Sequence, residues 1–207
     1  MEESNLKTEI LEGRKFGGTP EGIAILVDVF RSTSSIPILL ARGAEYIIPT
    51  KTVKEARELK KKIPDALLVG ERYGFKIRKF DYGNTPAMIW TKDLAHKVII
   101  FTSTNGTMVL KKITGAKAVY TSSFINHSAT CEKVKDAEKV QIFVSGRPDG
   151  KAEEDEIYAN FLAAQLQGKD VDPAKVMDKV EKCSGARRLK IMGFTEDIEA
   201  SLRLNSV

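Results

Sequence analysis

Cysteine and histidine are scarce in this sequence, and long apolar runs are missing from it. It contains two cysteines, Cys131 and Cys183, and two histidines, His96 and His127. The cysteines lie too far apart to predict a zinc site by themselves, and we expect no disulfide between them. No apolar run approaches the roughly 20 residues of a membrane span, and the charged opening segment, MEESNLKTEILEG, lacks the apolar core of a secretory signal. These absences predict a cytoplasmic protein without a thiol-based metal site.

The chain is modestly basic, with a formal net charge of +5. Its basic residues are interspersed with acidic ones, as in segment 51–62, KTVKEARELKKK, a pattern typical of a solvated helix face. There is no compact basic block with interleaved aromatic residues and no recognisable nucleic-acid-binding motif. The charge therefore favours a small polyanionic ligand over nucleic acid.

Short apolar runs alternate with amphipathic stretches over the first two thirds of the chain. This alternation predicts an α/β protein whose sheet is mostly parallel and is covered by helices on both faces. The predicted strands are Ile23–Val29, Tyr46–Pro49, Leu67–Gly70, Val98–Phe101, Ala118–Tyr120 and Val140–Val144. The predicted helices between them are Thr33–Arg42, Val53–Lys62, Thr107–Lys112 and Asn126–Lys135.

The last part of the chain is predicted to be helical. Gly168 and the segment 170–173 separate the first two helical patterns, and no convincing strand signal follows Val144. We therefore predict a single domain over residues 1–207 that includes a helical C-terminal subregion, 153–207. Its predicted helices are Glu153–Gln167, Pro173–Lys182 and Ala186–Met192.

Segment 22–35, GIAILVDVFRSTSS, carries the strongest functional signal. Its apolar run ends at Asp28, and Arg31 is followed directly by four hydroxyl residues. A carboxylate at the end of a strand, next to a helix that begins with hydroxyl residues, predicts an acid that can hold a cation beside N–H groups that can hold a phosphate. That combination is typical of metal-assisted phosphoryl chemistry. Asp28, Ser32 or Thr33 could equally cap the following helix.

Three further predicted strands are followed by the same kinds of residue. Glu71 and Arg72 follow one, the segment 102–107, TSTNGT, follows the next, and Arg147 follows the last, ahead of the acidic positions 153–155. If these strands share one sheet, their ends meet at one edge, where carboxylates would suit magnesium. Simpler explanations are a surface ion pair for Glu71 and Arg72, a turn for TSTNGT and helix-dipole compensation for the acidic run.

Five segments, VDVFRSTSS, GERYGFKIRKFDYGNTP, TSTNGT, EDEIYAN and SGARRL, occur in an order and at separations that resemble the 2-phosphosulfolactate phosphatase family. The resemblance implies a three-layer α/β/α fold. It also implies a magnesium-dependent acid phosphatase that converts 2-phospho-3-sulfolactate to 3-sulfolactate and phosphate on a route to coenzyme M. Members often have Cys-Ala-Gly after the strand at 140–144, whereas this chain has Val144-Ser145-Gly146. That departure excludes a cysteine nucleophile at this strand end.

These observations predict a metal-dependent phosphomonoesterase with a small anionic phosphorylated substrate. The predicted catalytic residues are Asp28, Arg31 and Glu71. The predicted magnesium ligands are Asp28, Glu71, Glu154 and Asp155. The predicted contacts to the phosphoryl group are Arg31, Ser32, Thr33, Ser34, Thr104, Asn105, Gly106 and Thr107. The predicted contacts to the substrate's carboxylate and sulfonate are Arg72, Asn84 and Arg147, because arginine forks pair well with such oxyanions.

Two other functions are compatible with the same residues. The chain could bind an anionic phosphorylated metabolite without turning it over, or it could be a phosphotransferase that retains the phosphate. The sequence also leaves open whether Asp28 acts as a covalent nucleophile and whether the protein is a monomer or a homodimer.

Overall fold

A computed structural model describes residues 6–148 and 150–207 of the chain. Strands and helices alternate up to residue 144, and the chain is helical from residue 153 onward. The strands are β1 (Lys7–Glu12), β2 (Ile23–Val27), β3 (Tyr46–Pro49), β4 (Leu67–Arg72), β5 (Phe75–Lys76), β6 (Val98–Thr102), β7 (Ala118–Ser122) and β8 (Lys139–Val144). The helices are α1 (Ser32–Ala41), α2 (Val53–Lys62), α3 (Pro86–Trp90), α4 (Gly106–Lys112), α5 (His127–Val134), α6 (Glu153–Leu166), α7 (Pro173–Lys182), α8 (Ser184–Ile191) and α9 (Thr195–Ser201).

The strands form two four-stranded sheets. The first has the order β1-β8-β2-β7, and its pairings are parallel. The second has the order β3-β6-β4-β5, in which β3, β6 and β4 are parallel and β5 returns antiparallel to β4. The predicted class, three-layer α/β/α with largely parallel or mixed sheet, is confirmed. The expectation that the functional strand ends share one sheet is wrong, since β2 and β8 belong to the first sheet and β4 and β6 to the second.

Helix α1 lies between the two sheets. It follows β2 of the first sheet and packs against both β7 of that sheet and β3 of the second. Ile38 and Leu39 of α1 are fully buried in an apolar cluster with Val69 and Phe101 from the second sheet. Because this part of α1 is fixed by apolar packing, the polar first turn of the helix is held where the two sets of strand ends approach each other.

Four short elements were not predicted from the sequence. Strand β1 has the sequence KTEILE and is a partly exposed edge strand, so it lacks the buried apolar run that marks β2. Strand β5 and helix α3 lie between the predicted strands Leu67–Gly70 and Val98–Phe101, and α9 follows the last predicted helix. Elements this short are decided by tertiary contacts more than by local propensity.

The C-terminal helices cover the first sheet and extend toward the second. Helix α6 packs against β1, β8 and α7, while α8 contacts α6, α7 and α9. Tyr158 and Leu162 of α6 are fully buried against Ile25 and Ile142 of the sheet. Helix α9 packs on α3, so the helical subregion reaches the elements around the second sheet. In residues 6–148 and 150–207, no helix is both long and apolar enough to cross a membrane.

Candidate active site

A cleft of about 260 Å³ opens where the strand ends of both sheets meet the C-terminal helices. Its walls come from the loops after β2, β4, β6 and β8, from the start of α6 and from one face of α8. The described residues that line it are Asp28, Phe30, Arg31, Ser32, Glu71, Tyr73, Gly74, Asn84, Thr104, Asn105, Arg147, Pro148, Glu154, Gly185, Arg188, Leu189 and Met192. The structure thus brings together nine predicted site residues: Asp28, Arg31, Ser32, Glu71, Asn84, Thr104, Asn105, Arg147 and Glu154.

Asp28 is a buried carboxylate at the cleft, 5% exposed. Burial raises the pKa of Asp28 to about 6; hydrogen bonds from Ser32 oppose the rise, and the charges of Glu71 and Glu154 add to it. A carboxylate whose pKa is raised in this way is poorly compensated by the groups around it. A cation bound at the cleft would therefore stabilise its charged form.

In the first turn of α1, the N–H groups that the sequence predicted to hold a phosphate are partly used by contacts within the protein. The Thr33 N–H donates to the Asp28 carbonyl at 2.9 Å, and the Asp28 N–H donates to Thr33 Oγ1 at 3.1 Å. The Ser34 N–H donates to the Arg31 carbonyl at 3.2 Å, and its hydroxyl donates to the Val29 carbonyl at 2.9 Å. These groups connect the strand end to the helix, but the capping alternative is not confirmed either, because the N-cap residue is Arg31 and its side chain makes no capping hydrogen bond. Ser32 is the residue of this turn that lines the cleft.

Arg31 is held on the cleft wall by a set of contacts within the protein. Its Nη1 donates to Asp197 Oδ2 at 2.6 Å, and both side chains are 3% exposed. Its Nη2 donates to the Gly74 carbonyl, and the guanidinium lies over the ring of Phe194, 4.4 Å from the centroid. Arg31 is therefore a fixed positive charge whose principal counter-charge is Asp197 on α9.

Glu71 connects two of the loops that form the cleft. Its Oε1 accepts a hydrogen bond from the Thr104 N–H at 2.6 Å. Its Oε2 accepts from the Gly74 N–H at 2.6 Å and from the Thr104 hydroxyl at 2.9 Å. Both carboxylate oxygens are engaged, so Glu71 fixes the β4–β5 turn against the loop after β6.

The acidic start of α6 is also tied into the protein. Both oxygens of Glu154 accept from Arg147 Nη2, at 2.6 and 2.8 Å. Asp155 Oδ1 accepts from the Val29 N–H at 2.8 Å, and Asp155 lies behind the cleft wall. Burial raises the pKa of Asp155 well above its usual value, and the charges of Asp28 and Glu154 add to the effect.

The predicted set of four magnesium ligands does not assemble as one ligand cluster. No group of three or more His, Cys, Asp or Glu residues that could hold a metal occurs in the part of the chain that the structure describes. Glu71, Glu154 and Asp155 each accept hydrogen bonds from other parts of the protein. Asp28 alone still fits magnesium, because this ion is commonly held by one or two carboxylates together with substrate phosphate and water.

Asn84 presents a buried polar atom to the cleft. The side chain is 2% exposed, and its Oδ1 has no hydrogen-bond partner among the described residues. Its Nδ2 lies 3.4 Å from Ser32 Oγ. A buried polar atom without a partner is costly, so a ligand or a water that bonds to this amide would stabilise the site.

Arg72 does not reach the cleft. Its guanidinium donates to the Glu71 and Lys51 carbonyls and to the Thr102 hydroxyl at 2.7, 3.2 and 2.9 Å. Neighbouring side chains of a strand point to opposite faces, and Glu71 occupies the face that meets the cleft. The pairing that the sequence suggested between Arg72 and the substrate therefore has no support in the structure.

The TSTNGT segment divides between the cleft and the interior. Thr104 and Asn105 line the cleft, and Asn105 Oδ1 accepts from Arg14 Nη1 at 3.0 Å. Thr107 lies in the interior, where its hydroxyl donates to the Ser103 carbonyl and its N–H donates to Ser103 Oγ, each at 3.1 Å. Gly106 packs beneath Asp28. Thr104 and Asn105 are thus the members of this segment that a ligand can reach.

Sequence reasoning missed the wall that α8 contributes. Gly185, Arg188, Leu189 and Met192 line the cleft at spacings of three and four residues, which place them on one helix face. In the sequence analysis the SGARRL segment contributed to the family resemblance, but no function was assigned to its residues. The helical spacing of Gly185, Arg188 and Leu189 could have identified this face. Phe30, Tyr73, Gly74 and Pro148 were also missed, and no pattern in the sequence distinguishes them.

The cleft lies within a region that matches known proteins. Residues 10–207 match the family described as 2-phosphosulpholactate phosphatase. A protein of Thermoplasma acidophilum named "Probable 2-phosphosulfolactate phosphatase" is 44% identical over 195 residues, covering 94% of this chain and 86% of that protein. Proteins with the same name from Thermoplasma volcanium and Thermotoga maritima are 41% and 33% identical, covering 95% and 85% of this chain and 91% and 82% of theirs. The matched region contains every residue that lines the cleft.

Proposed function

Because the chain belongs to the 2-phosphosulfolactate phosphatase family, whose members are phosphoric monoester hydrolases, we propose that it hydrolyses 2-phospho-3-sulfolactate, or a related 2-phospho-hydroxyacid, with magnesium as cofactor. The observation that carries the proposal is Asp28, a buried carboxylate with a raised pKa on the wall of the cleft. A bound phosphomonoester and a divalent cation would supply the charge and contacts that this group lacks.

The cation would be held by Asp28 and by the phosphoryl oxygens of the substrate. When bound, it supplies charge neutralisation at the oxygens that become more negative as the phosphoryl group is transferred. Because the substrate itself supplies oxygen ligands, a single carboxylate of the cleft can serve a magnesium site. Glu71, Glu154 and Asp155 then act by fixing the surrounding loops through their hydrogen bonds.

The chain's own groups orient the phosphoryl group. Asn84 has a buried amide atom that needs a partner, and Ser32 carries a hydroxyl on the same wall. Thr104 and Asn105, in the loop after β6, also line the cleft. Arg31 contributes a fixed positive charge, which favours an anion in the cleft without leaving the contact with Asp197.

A phosphate-release assay tests the proposal. The purified protein is incubated with 2-phospho-3-sulfolactate, 2-phospholactate and 2-phosphoglycolate, each with magnesium, with EDTA, and with magnesium restored after EDTA. We expect release that requires magnesium and is fastest with 2-phospho-3-sulfolactate. Tight substrate binding without release would identify a non-catalytic binder, and release unaffected by EDTA would contradict the magnesium proposal.

A second experiment addresses the fate of the phosphate. Rapid quenching with substrate labelled in the phosphoryl group separates phosphate released directly from phosphate retained on the chain. Stoichiometric label on the protein would favour Asp28 as covalent nucleophile or a phosphotransferase, and absence of label with full release would favour direct attack by water. The proposed setting is the cytoplasm, and the proposed pathway is the route to coenzyme M.

A further inference from the structure

The cleft contains one arginine whose charge is not used within the protein. Of the described residues, Arg31, Arg147 and Arg188 are the arginines that line it. Arg31 is paired with Asp197, and Arg147 is paired with Glu154. Arg188 is exposed, and its guanidinium makes no ion pair or side-chain hydrogen bond with any residue in 6–148 or 150–207.

The helix face that carries Arg188 is held by contacts one turn before and one turn after this residue. Gly185, one turn earlier, lies against the Arg147–Glu154 pair, so closely that an added Cβ would overlap Glu154. Met192, one turn later, lies against Gly74 of the β4–β5 turn. The helix face that carries Arg188 is therefore anchored along the cleft, between the start of α6 and the turn that Glu71 holds.

The charges of the cleft explain what Arg188 can bind. Arg31 and Arg147 are balanced by Asp197 and Glu154, which leaves Asp28 and Glu71 as the other acids that line the cleft with Arg188. A phosphomonoester that also carries a carboxylate or a sulfonate brings further negative charge into this cleft. A cation at Asp28 can serve the phosphoryl end, but the other end of such a substrate needs a second positive group.

We propose that Arg188 binds the oxyanion that is not transferred, the carboxylate or sulfonate at the end of the substrate remote from the phosphoryl group. This rests on the proposed function, which supplies the phosphoryl end. A guanidinium fork pairs with two oxygens of such a group, and an exposed side chain on an anchored helix can adjust to its position. Arg188 thereby takes the role that the sequence suggested for Arg72 and Arg147.

The test compares Arg188→Gln with Arg187→Gln, a matched change on the same helix. Arg187 is also exposed but does not line the cleft. The measurement is kcat/KM for 2-phospho-3-sulfolactate divided by kcat/KM for ethyl phosphate, which has no second anionic group. We expect Arg188→Gln to lower this ratio about 10- to 100-fold, the range for loss of a charge-assisted hydrogen bond. The effect should lie mainly in KM, and Arg187→Gln should keep the wild-type ratio.

Binding of the product gives a readout that does not depend on turnover. Calorimetric titration with 3-sulfolactate should give a Kd that rises by a similar factor in Arg188→Gln and stays unchanged in Arg187→Gln. If wild type and both variants bind 3-sulfolactate equally, or if the ratio of kcat/KM values is unchanged in Arg188→Gln, the proposal is overturned. If wild type releases no phosphate but Arg188→Gln still weakens product binding, the hydrolase function fails and the role of Arg188 stands.

Discussion

Gly106 lies so close to the carboxylate of Asp28 that any side chain at this position would overlap it. A Cβ atom on Gly106 would be 2.5 Å from Asp28 Oδ2 and 2.9 Å from Ser32 Oγ. Glycine at the start of α4 therefore allows the loop after β6 of the second sheet to approach the end of β2 in the first. This approach sets the distance between the two halves of the cleft.

Gly106→Ala should therefore damage both stability and activity. The added methyl group must displace Asp28 or Ser32, and overpacking of this kind costs about 1–3 kcal/mol. Denaturant unfolding and phosphate release measure the two effects. Gly17→Ala is the matched control, because among the described atoms none lies within 4 Å of a Cβ at Gly17. A Gly106→Ala protein with wild-type stability and turnover would show that Asp28 does not need its present position.

Asp28→Asn should remove most of the phosphate release while the fold survives. The substitution preserves shape and removes a buried charge whose pKa is raised to about 6, so the free energy of unfolding should not fall. Calorimetric binding of magnesium in the presence of inorganic phosphate should weaken in the same variant. Asp65→Asn, at an exposed position, provides the control. Full turnover by Asp28→Asn at saturating magnesium would remove Asp28 from the mechanism.

Asp197→Ala should destabilise the protein strongly, although Asp197 lies outside the cleft. Burial raises the pKa of Asp197 while Arg31 opposes the rise, so the pair is itself costly to bury. Removing one partner is still unfavourable, by about 3–5 kcal/mol, because the Arg31 charge then stays buried without its partner. Glu58→Ala breaks the exposed Lys54–Glu58 pair, whose atoms are 4.0 Å apart, and should cost less than about 0.5 kcal/mol. Urea unfolding of both variants distinguishes these expectations, and equal losses would contradict them.

His127 should make the protein less stable as the pH falls from about 6.5 toward 4. Burial lowers the pKa of His127 from 6.5 to about 4, so between these values the unfolded chain binds a proton that the folded chain excludes. The contribution of His127 to the free energy of unfolding is fully present above the pKa that this residue has in the unfolded chain. Below that pH the free energy of unfolding declines, by up to about 3 kcal/mol. His127→Gln should flatten this part of a plot of unfolding free energy against pH. An unchanged slope in the variant would assign the acid sensitivity to other groups.

The positions of the functional residues were largely readable from the sequence, while their contacts were not. The buried run IAILV fixed β2 and placed Asp28 at its end, because a strand buried on both faces needs a continuous apolar segment. The same reasoning identified Glu71 and Thr104 at other strand ends, and the structure brings all three to one cleft. Residue type and position at a strand end were enough to select these residues, although the single sheet that was expected to bring them together is in fact two sheets.

Other features depend on tertiary contacts that no local pattern encodes. The sequence of a strand does not determine which sheet the strand joins. The division into two sheets was therefore not predicted from the sequence. The use of the Thr33 and Ser34 N–H groups depends on the backbone path after Asp28. The orientation of Arg72 follows from the register of β4, and the pairing of Arg31 depends on Asp197, a residue distant in the chain. Pairing of a charged side chain decides whether it can bind substrate, and only three-dimensional structure reveals it.

Several contacts that complete the cleft connect distant parts of the chain. Arg31 and Asp197 are 166 residues apart, Val29 and Asp155 are 126 apart, and Arg14 and Asn105 are 91 apart. Closing such long loops costs entropy before the contact forms, and folds that depend on non-local contacts form slowly. The sheet pairings of β8 with β1 and β2 span similar separations. The charges around Asp28 should therefore come together only with the tertiary fold as a whole, and an isolated segment of the chain would not contain this centre.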